Sequence, residues 1–212
     1  MVKAVVLHSG GLDSTLCLLM AIEKQREVVS VGIDYGQEQR IELDYAQRQC
    51  QRFGVRRRVL KLEWDKPETH FPRNRSPEDM RESVSPAFLP GRNILFLGLG
   101  VAEARGIAAQ EVWIGVNAVD YSGYPDCRPE FVDAYRRMLE LGVPGGPAVM
   151  APLQNMTKPE IAIEAARLGL KEGDTWSCYT PQRRGSEWTP CNECDACILH
   201  NLAWSHARAR ER

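Results

Sequence analysis

A glycine turn between an apolar strand and a helix restricts the fold more than any other feature of the sequence. The segment Ser9-Gly10-Gly11-Leu12-Asp13-Ser14 follows the apolar run Ala4-Val5-Val6-Leu7. Two adjacent glycines let the backbone approach a phosphate closely, and the first N–H groups of the next helix attract an anion. The order of strand, turn and helix therefore predicts a phosphate-binding loop. The predicted helix has its apolar face at Leu12, Leu16, Leu19 and Met20.

The polar residues of this turn suit a site for magnesium and phosphate. Asp13 and Ser14 stand at the predicted helix start, where a carboxylate can bind Mg²⁺ and a hydroxyl can hydrogen-bond a phosphate. No Gly-Lys-Ser/Thr follows, so the turn is not the Walker loop of common ATPases. It resembles the loop of the N-type ATP pyrophosphatases, which split ATP into AMP and pyrophosphate to activate a carbonyl oxygen. A glycine turn with a Ser-Asp helix cap is the alternative interpretation.

Length, charge and cysteine content limit the class of protein. The 212 residues suffice for one well-buried domain with an appendage. The 27 basic and 28 acidic residues nearly cancel, so a small-molecule substrate is expected and a nucleic-acid partner is not. The chain shows no signal peptide and no apolar run that could span a bilayer, so a cytoplasmic location away from membranes is expected. Seven cysteines indicate thiols and metal ligands, not a disulfide framework.

Strands and helices alternate along most of the chain. This alternation predicts a doubly wound, five-stranded parallel sheet with helices on both faces and ligands at the carboxyl ends of the strands. We expect one nucleotide-binding domain over residues 1–175 and a metal-binding segment over 176–212. The proline-rich, charged stretch 63–90 is predicted to be a flexible flap or, alternatively, a solvated connector. The predicted strands are 3–8, 28–34, 55–62, 110–116 and 148–152, and the predicted helices are 12–24, 38–53, 91–106, 129–141 and 157–168.

Four cysteines near the C-terminus have the spacing of a metal site. Cys191, Cys194 and Cys197 follow one another at two-residue gaps, and Cys178 lies upstream. Four thiolates can close a tetrahedral site, which favours a structural zinc ion without an open position for substrate. An iron–sulfur cluster is the alternative, although the proline typical after the last cysteine of such a cluster is absent.

A loop after the fourth predicted strand carries groups that suit a flat heterocycle. Residues 115–128 combine amide, carboxylate, hydroxyl and aromatic side chains at the carboxyl end of a strand. Such groups can stack on a ring and hydrogen-bond its edge. The same composition is also typical of turns. The candidate residues are Asn117, Asp120, Tyr121, Tyr124, Asp126 and Arg128.

Taken together, the motifs resemble the 7-cyano-7-deazaguanine synthase family of queuosine biosynthesis. The resemblance covers residues 2 to about 199. Besides the glycine turn, the loop at 115–128 and the cysteine cluster, it rests on Asp34-Tyr35-Gly36-Gln37, Pro90-Gly91-Arg92-Asn93 and Thr175-Trp176-Ser177-Cys178-Tyr179. The combination is far more specific than any one of its motifs.

The resemblance implies an adenine-nucleotide alpha hydrolase-like fold and an ATP-dependent ligase activity. In that family, 7-carboxy-7-deazaguanine is adenylated by ATP and ammonia displaces AMP to give an amide. A second activation with loss of water gives the nitrile. The resemblance also implies a magnesium-dependent homodimer with ATP as co-substrate and with structural zinc on Cys178, Cys191, Cys194 and Cys197.

Site residues follow from the family pattern and from the chemistry of the step. Charge that develops on the phosphates needs loop amides, Mg²⁺ and a cation, so the predicted catalytic residues are Asp13, Ser14, Lys158 and Arg92. The expected ATP-binding residues are His8, Ser9, Gly10, Gly11, Leu12, Asp13, Ser14, Thr15, Leu16, Cys17, Leu18, Asp34 and Tyr35. The expected deazaguanine-binding residues are Arg92, Asn93, Asn117, Asp120, Tyr121, Tyr124, Asp126 and Arg128.

The chain departs from the family pattern in two places. Family members usually continue the Tyr-Gly-Gln motif with Arg-His, whereas Glu38-Gln39 stand here. After Tyr179, the segment Thr180-Pro181-Gln182-Arg183-Arg184 replaces a short glycine-containing turn. Two alternatives therefore stay open. One is a related enzyme that stops at the amide or transfers the activated acid to another amine, and the other is a zinc-stabilised binding module without turnover.

Overall fold

Five parallel strands form the central sheet of the computed structural model, which describes residues 1–117 and 123–210. Their order in the sheet is β3-β2-β1-β4-β5, so the direction of winding reverses between β1 and β4. Open parallel sheets bind ligands at such a reversal, beyond the carboxyl ends of the strands. The predicted doubly wound, five-stranded sheet is confirmed. The strands are β1 (Lys3–Leu7), β2 (Glu27–Asp34), β3 (Arg56–Lys61), β4 (Glu111–Trp113) and β5 (Ala148–Met150).

Helices cover both faces of this sheet. They are α1 (Leu12–Glu23), α2 (Ile41–Phe53), α3 (Pro77–Glu82), α4 (Arg92–Gly106), α5 (Pro129–Gly142), α6 (Lys158–Arg167) and α7 (Asp195–Arg210). Helices α4 and α5 pack on one face, and α1, α6 and α7 share the apolar cluster of the other. An antiparallel hairpin of β6 (Gln182–Arg184) and β7 (Glu187–Thr189) lies outside the main sheet. Within residues 1–117 and 123–210, no helix has both the length and the apolar character that a membrane span requires.

Strand β1 lies in the middle of the sheet and is buried on both faces. Its side chains alternate, so that Val5 belongs to the cluster covered by α4 and α5, and Val6 to the cluster under α1 and α6. Both side chains are 0% exposed. Burial of an aliphatic side chain of this size contributes roughly 1.5–3 kcal/mol. The strand before the glycine turn is therefore held from both sides and gives the turn a rigid base.

The C-terminal region contains regular structure that the sequence did not predict. Helix α7 begins at Asp195, inside the cysteine cluster, and packs Ala203 and Trp204 into the core beside α1 and α6. The start of this helix lies between Cys194 and Cys197. The cysteines that indicate a metal site therefore interrupt the apolar periodicity from which the helix could have been predicted. The division of the chain at residue 175 stays a prediction.

The proline-rich stretch 63–90 is folded against the C-terminal region. It contains the short helix α3. Arg75 Nε donates to Asp195 Oδ1 at 3.1 Å, and Asn74 N donates to Glu193 O at 2.7 Å. These contacts tie the stretch to residues that lie between the clustered cysteines. Its role as a flap stays a prediction.

Candidate active site

A cavity with a volume of about 320 Å³ lies at the carboxyl edge of β1 and β4. The glycine turn, the start of α4 and the region around the cysteine cluster form its walls. The volume falls in the range of small-molecule sites, about 300–1,000 Å³. Of the residues predicted for the site, those that line the cavity are His8, Ser9, Gly11, Leu12, Asp13, Ser14, Tyr35, Arg92, Asn93, Asn117, Tyr124 and Lys158.

Two glycines let the glycine turn and strand β4 pass very close to their neighbours. Gly10 has a φ of +101°, and a Cβ on it would lie 2.2 Å from the backbone oxygen of Glu42. A Cβ on Gly115, which follows β4, would lie 2.9 Å from the carbonyl carbon of Asp13. Only glycine fits either position. Helix α1 therefore starts at the cavity wall, where its first N–H groups have no partner within the helix and can bind an anion.

Hydroxyl groups hold the turn from within. Ser14 Oγ donates to Gly11 O at 3.2 Å and lies 3.0 Å from Ser9 Oγ. Thr15 Oγ1 donates to the same Gly11 carbonyl at 2.7 Å. These hydrogen bonds hold the turn in one conformation, which reduces the entropy cost of binding a ligand.

His8 is an uncharged side chain that supports the glycine turn through buried hydrogen bonds. Its Nε2 lies 2.8 Å from Gln49 Oε1 on α2, and its Nδ1 lies 3.0 Å from Ser30 Oγ on β2. Burial, reinforced by the nearby Arg57 guanidinium, lowers the pKa of His8 to about 3. The ring is uncharged near neutral pH and joins β1 to α2.

Several residues expected at the nucleotide lie behind the cavity wall. Leu16, Cys17 and Leu18 are all 0% exposed and belong to the core that α1 shares with α6. They lie beyond the first turn of α1, where side chains pack on the sheet and do not reach the cavity. Asp34 is paired with Arg40, whose Nη2 lies 2.6 Å from Asp34 Oδ2, and its side chain is also outside the lining.

A charged pair stands at the mouth of the glycine turn. Lys158 Nζ lies 2.5 Å from Asp13 Oδ2, and both side chains line the cavity. Thr157 and Glu160 cap α6 reciprocally, which fixes the helix start that carries Lys158. A carboxylate that can bind a divalent cation and an ammonium group that can bind a phosphate therefore meet beside the helix N-terminus of α1.

A second cation, Arg92 at the start of α4, is surrounded by aromatic side chains. Burial opposes its charge, but the phenol groups of Tyr35, Tyr179 and Tyr124 raise the pKa of Arg92, so the guanidinium stays charged. The ring of Tyr35 lies 5.3 Å from that of Phe96, centroid to centroid. A fixed positive charge framed by aromatic rings suits a flat, anionic heterocycle.

The predicted substrate residues divide between the cavity wall and its support. Asn117 Nδ2 donates to Met156 O at 2.7 Å, which orients its amide at the wall. Asp126 is buried but does not line the cavity; its backbone oxygen accepts from Asn93 Nδ2 at 3.2 Å. Arg128 is exposed and donates to Gly123 O. Asp120 and Tyr121 lie outside the described residues.

Further lining residues were missed by sequence reasoning. The departure from the family pattern places Glu38 at the surface, whereas Gln39 is buried and lines the cavity. Gln39 lies in the turn before α2 and Glu42 lies three residues later in the first turn of that helix, so the spacing of Gln39 and Glu42 was the available signal. The missed lining residues include Gln39, Glu42, Arg75, Trp176, Asp195 and His200.

The four predicted metal ligands come together. The sulfur atoms of Cys178, Cys191, Cys194 and Cys197 all lie within 4.8 Å of one another, and all four residues are buried. Cys191 Sγ and Cys197 Sγ are 3.9 Å apart. Backbone N–H groups of Cys191 and Cys194 point at cluster sulfurs, which is the environment that stabilises thiolates. Four buried sulfurs at these distances could hold a metal ion.

Comparison with solved structures supports the fold. The U34-tRNA thiolase NcsA from Methanococcus maripaludis, solved with its iron–sulfur cluster, superposes with a TM-score of 0.52. The comparison covers 100% of this chain and 72% of that protein at 15% sequence identity.

Comparison of sequences identifies the family. A 7-cyano-7-deazaguanine synthase 2 from Rhodopseudomonas palustris (strain HaA2) is 55% identical over 206 residues, which span 97% of this chain and 98% of the relative. A 7-cyano-7-deazaguanine synthase from Novosphingobium aromaticivorans is 44% identical over 96% of this chain and 90% of its own length. The family model described as queuosine biosynthesis protein QueC matches residues 3–208. The chain therefore belongs to the QueC family of queuosine biosynthesis proteins.

Proposed function

We propose that this chain converts 7-carboxy-7-deazaguanine to 7-cyano-7-deazaguanine with ATP and ammonia, through an adenylated acid and an amide. Relatives that match nearly its whole length carry the name of this synthase. The observation that carries the proposal is that the Asp13–Lys158 pair at the glycine turn and the half-buried Arg92 line one cavity. A triphosphate and an anionic acid can therefore meet there.

The glycine turn would bind the phosphates of ATP. The N–H groups at the start of α1 and the ammonium of Lys158 would donate to phosphate oxygens. Asp13 and Ser14 offer oxygen ligands to Mg²⁺, which, when bound, would neutralise charge on the phosphates. Lys158 and Asp13 hold each other in place until the nucleotide arrives.

The aromatic part of the cavity would bind the acid. Arg92 can form a charge-assisted hydrogen bond with the carboxylate, and Tyr35 and Tyr124 border the space for the flat ring. The carboxylate oxygen attacks the alpha phosphorus of ATP and pyrophosphate leaves. The resulting acyl adenylate carries AMP as a good leaving group, so ammonia can form the C–N bond.

The cysteine cluster would hold a structural zinc ion. A tetrahedral site with Zn–S bonds of about 2.3 Å needs sulfurs roughly 3.8 Å apart, and two of the cluster sulfurs are 3.9 Å apart. With four thiolates the coordination is complete, so the ion would supply folding free energy and would not contact substrate. An iron–sulfur cluster is the alternative that metal analysis distinguishes. The homodimer is carried by the family resemblance alone, and the cytoplasmic location stays a prediction.

Mass spectrometry of the products tests the proposed function. The protein is incubated with the acid, ATP, Mg²⁺ and ammonium, and the deazaguanine products and AMP are quantified. The proposal predicts a nitrile, with an amide as a transient. An amide that accumulates without nitrile would indicate the alternative enzyme that stops at the amide. Absence of AMP with the acid present would indicate a binding module without turnover.

A further inference from the structure

Glu42 lines the cavity from the first turn of α2. Gln37 Nε2 donates to Glu42 Oε1 at 3.0 Å. The Gln37 amide is itself fixed, because its Oε1 accepts from Tyr35 N at 3.0 Å and its Nε2 also donates to Ile33 O at 3.3 Å. The carboxylate is therefore held in one orientation at the cavity wall by a rigid neighbour.

The other acidic side chains that line the cavity have basic partners. Asp13 is paired with Lys158, and Asp195 receives two hydrogen bonds from Arg75. Among the side chains that the structure describes, no basic group lies within ion-pair distance of Glu42. Glu42 is thus the lining carboxylate whose oxygen is open to a ligand.

The two histidines and the cysteine that line the cavity are poorly suited to accept a proton near neutral pH. Burial lowers the pKa of His8 to about 3, and both of its ring nitrogens already have partners. Burial also lowers the pKa of His200, whose Nδ1 lies 3.0 Å from Ser177 Oγ. Burial raises the pKa of the Cys127 thiol to about 12.

Glu42 itself has a proton affinity matched to this task. Burial raises the pKa of Glu42 to about 7, against the opposing effects of the Gln37 hydrogen bond and of the Arg92 and Arg57 charges. A carboxyl group with this pKa is partly ionised near neutral pH and can both take up and release a proton.

The proposed reaction releases protons from nitrogen at two stages. When ammonia attacks the acyl adenylate, the C–N bond forms, the C–O bond to AMP breaks, and one N–H proton leaves. When the adenylated amide becomes the nitrile, the second C–O bond to AMP breaks and both remaining N–H protons leave. The acid reacts as a carboxylate, so its own adenylation requires no proton removal.

We propose that Glu42 is the general base that accepts these N–H protons and returns them to water between steps. This rests on the proposed function, because the protons belong to that reaction. The proposal assigns Glu42 to the steps after adenylation and not to adenylation itself.

The test is Glu42→Gln, which keeps the side-chain size and an oxygen that can accept from Gln37. Asp44→Asn is the matched control, because Asp44 is exposed and the substitution removes a charge from the same turn of α2. Acid-dependent exchange of pyrophosphate into ATP measures adenylation alone. We expect Glu42→Gln to keep this exchange within about threefold and to lower amide and nitrile formation by about 10²-fold or more. Asp44→Asn should match the wild type in both assays.

A pH profile separates a base from a structural residue. Since Glu42 must be ionised to accept a proton, wild-type nitrile formation measured at a constant concentration of free ammonia should rise with pH through about 7 and then level off. Glu42→Gln should lose this rise. Hydroxylamine, which is largely unprotonated at neutral pH, should restore trapping of the adenylate in the variant.

Three results would overturn the assignment. The first is nitrile formation by Glu42→Gln near the wild-type rate, and the second is an unchanged pH profile in this variant. The third is that Glu42→Gln keeps the wild-type melting temperature but loses pyrophosphate exchange as strongly as it loses nitrile formation. Failure of the proposed function looks different, because the wild-type protein itself would then form neither amide nor nitrile.

Discussion

Lys158 Nζ lies 2.5 Å from Asp13 Oδ2, and the two residues are 145 positions apart in the sequence. The contact joins the first residue of α6 to the start of α1. The glycine turn and the N-terminus of α6 therefore form one charged wall. The pair is only partly exposed, with side-chain exposures of 18% and 26%. In the proposed function, this pair meets the triphosphate and its metal.

Asp13→Asn should remove AMP formation while the fold is retained. The substitution keeps the side-chain size but removes the charge that would bind Mg²⁺ and orient Lys158, so we expect acid-dependent AMP release to fall by at least about 10²-fold. Glu23→Gln, on the exposed last turn of the same helix, is the control and should stay near the wild type. Wild-type AMP release by Asp13→Asn would remove the predicted metal role of this carboxylate.

Gly10→Ala should damage the turn itself. An alanine Cβ would lie 2.2 Å from Glu42 O, and the φ of +101° is strained for any residue with a side chain. We expect a loss of at least about 2 kcal/mol in the free energy of unfolding, measured by denaturant titration. Gly173→Ala is the control, since a Cβ there meets nothing within 4 Å. Equal stability of the two variants would contradict the close packing described for the turn.

Arg75→Gln should loosen the stretch 63–90. Arg75 binds Asp195 with a side chain that is only 19% exposed, so its loss leaves a buried carboxylate short of partners, at a cost of about 1–3 kcal/mol. Hydrogen exchange in residues 63–90 should accelerate. Arg73→Gln removes the neighbouring pair with Glu193, whose side chains are 50% and 45% exposed, and should change exchange little. The same exchange rates in both variants would show that the buried pair does not hold the stretch.

Cys194→Ser should lower metal content and thermal stability together. A site that needs four thiolates binds the metal far more weakly with three, and structural zinc contributes folding free energy. Elemental analysis should find one zinc per wild-type chain, and chelation should lower the wild-type melting temperature toward that of the variant. Cys50→Ala, a buried cysteine of α2, should keep its metal. A variant that stays as stable without metal would show that the cluster is not a structural metal site, and iron in place of zinc would favour the iron–sulfur alternative.

Local features of the sequence predicted the parallel sheet and the glycine turn at the cavity wall. The strand, glycine turn and helix around Gly10 lie within one short segment, and neighbouring residues determine their geometry. The cysteines are also recognisable by spacing, and their sulfurs do lie together. Lys158 could be named because a phosphate site needs a cation.

Contacts between distant segments were the part that the sequence did not predict. Arg75 and Asp195 are 120 positions apart, and nothing local to either residue indicates the other. The position of Glu42 depends on where α2 begins. The helix was predicted from residue 38, but it starts at Ile41. Gly36, with a φ of +72°, and the hydrogen bonds of Gln37 keep the preceding residues in a turn. That shift decides which side chains of the turn face the cavity.

The most direct test of the central claim follows the oxygen atoms of the acid. The protein is supplied with 7-carboxy-7-deazaguanine labelled with oxygen-18 in its carboxyl group, together with ATP, Mg²⁺ and ammonium, and the nucleotide products are analysed by mass spectrometry. An acyl adenylate formed at the glycine turn predicts AMP that carries oxygen-18, with unlabelled pyrophosphate. Unlabelled AMP, or ADP with labelled phosphate, would contradict the account, because the alpha phosphorus would not have been transferred to the acid.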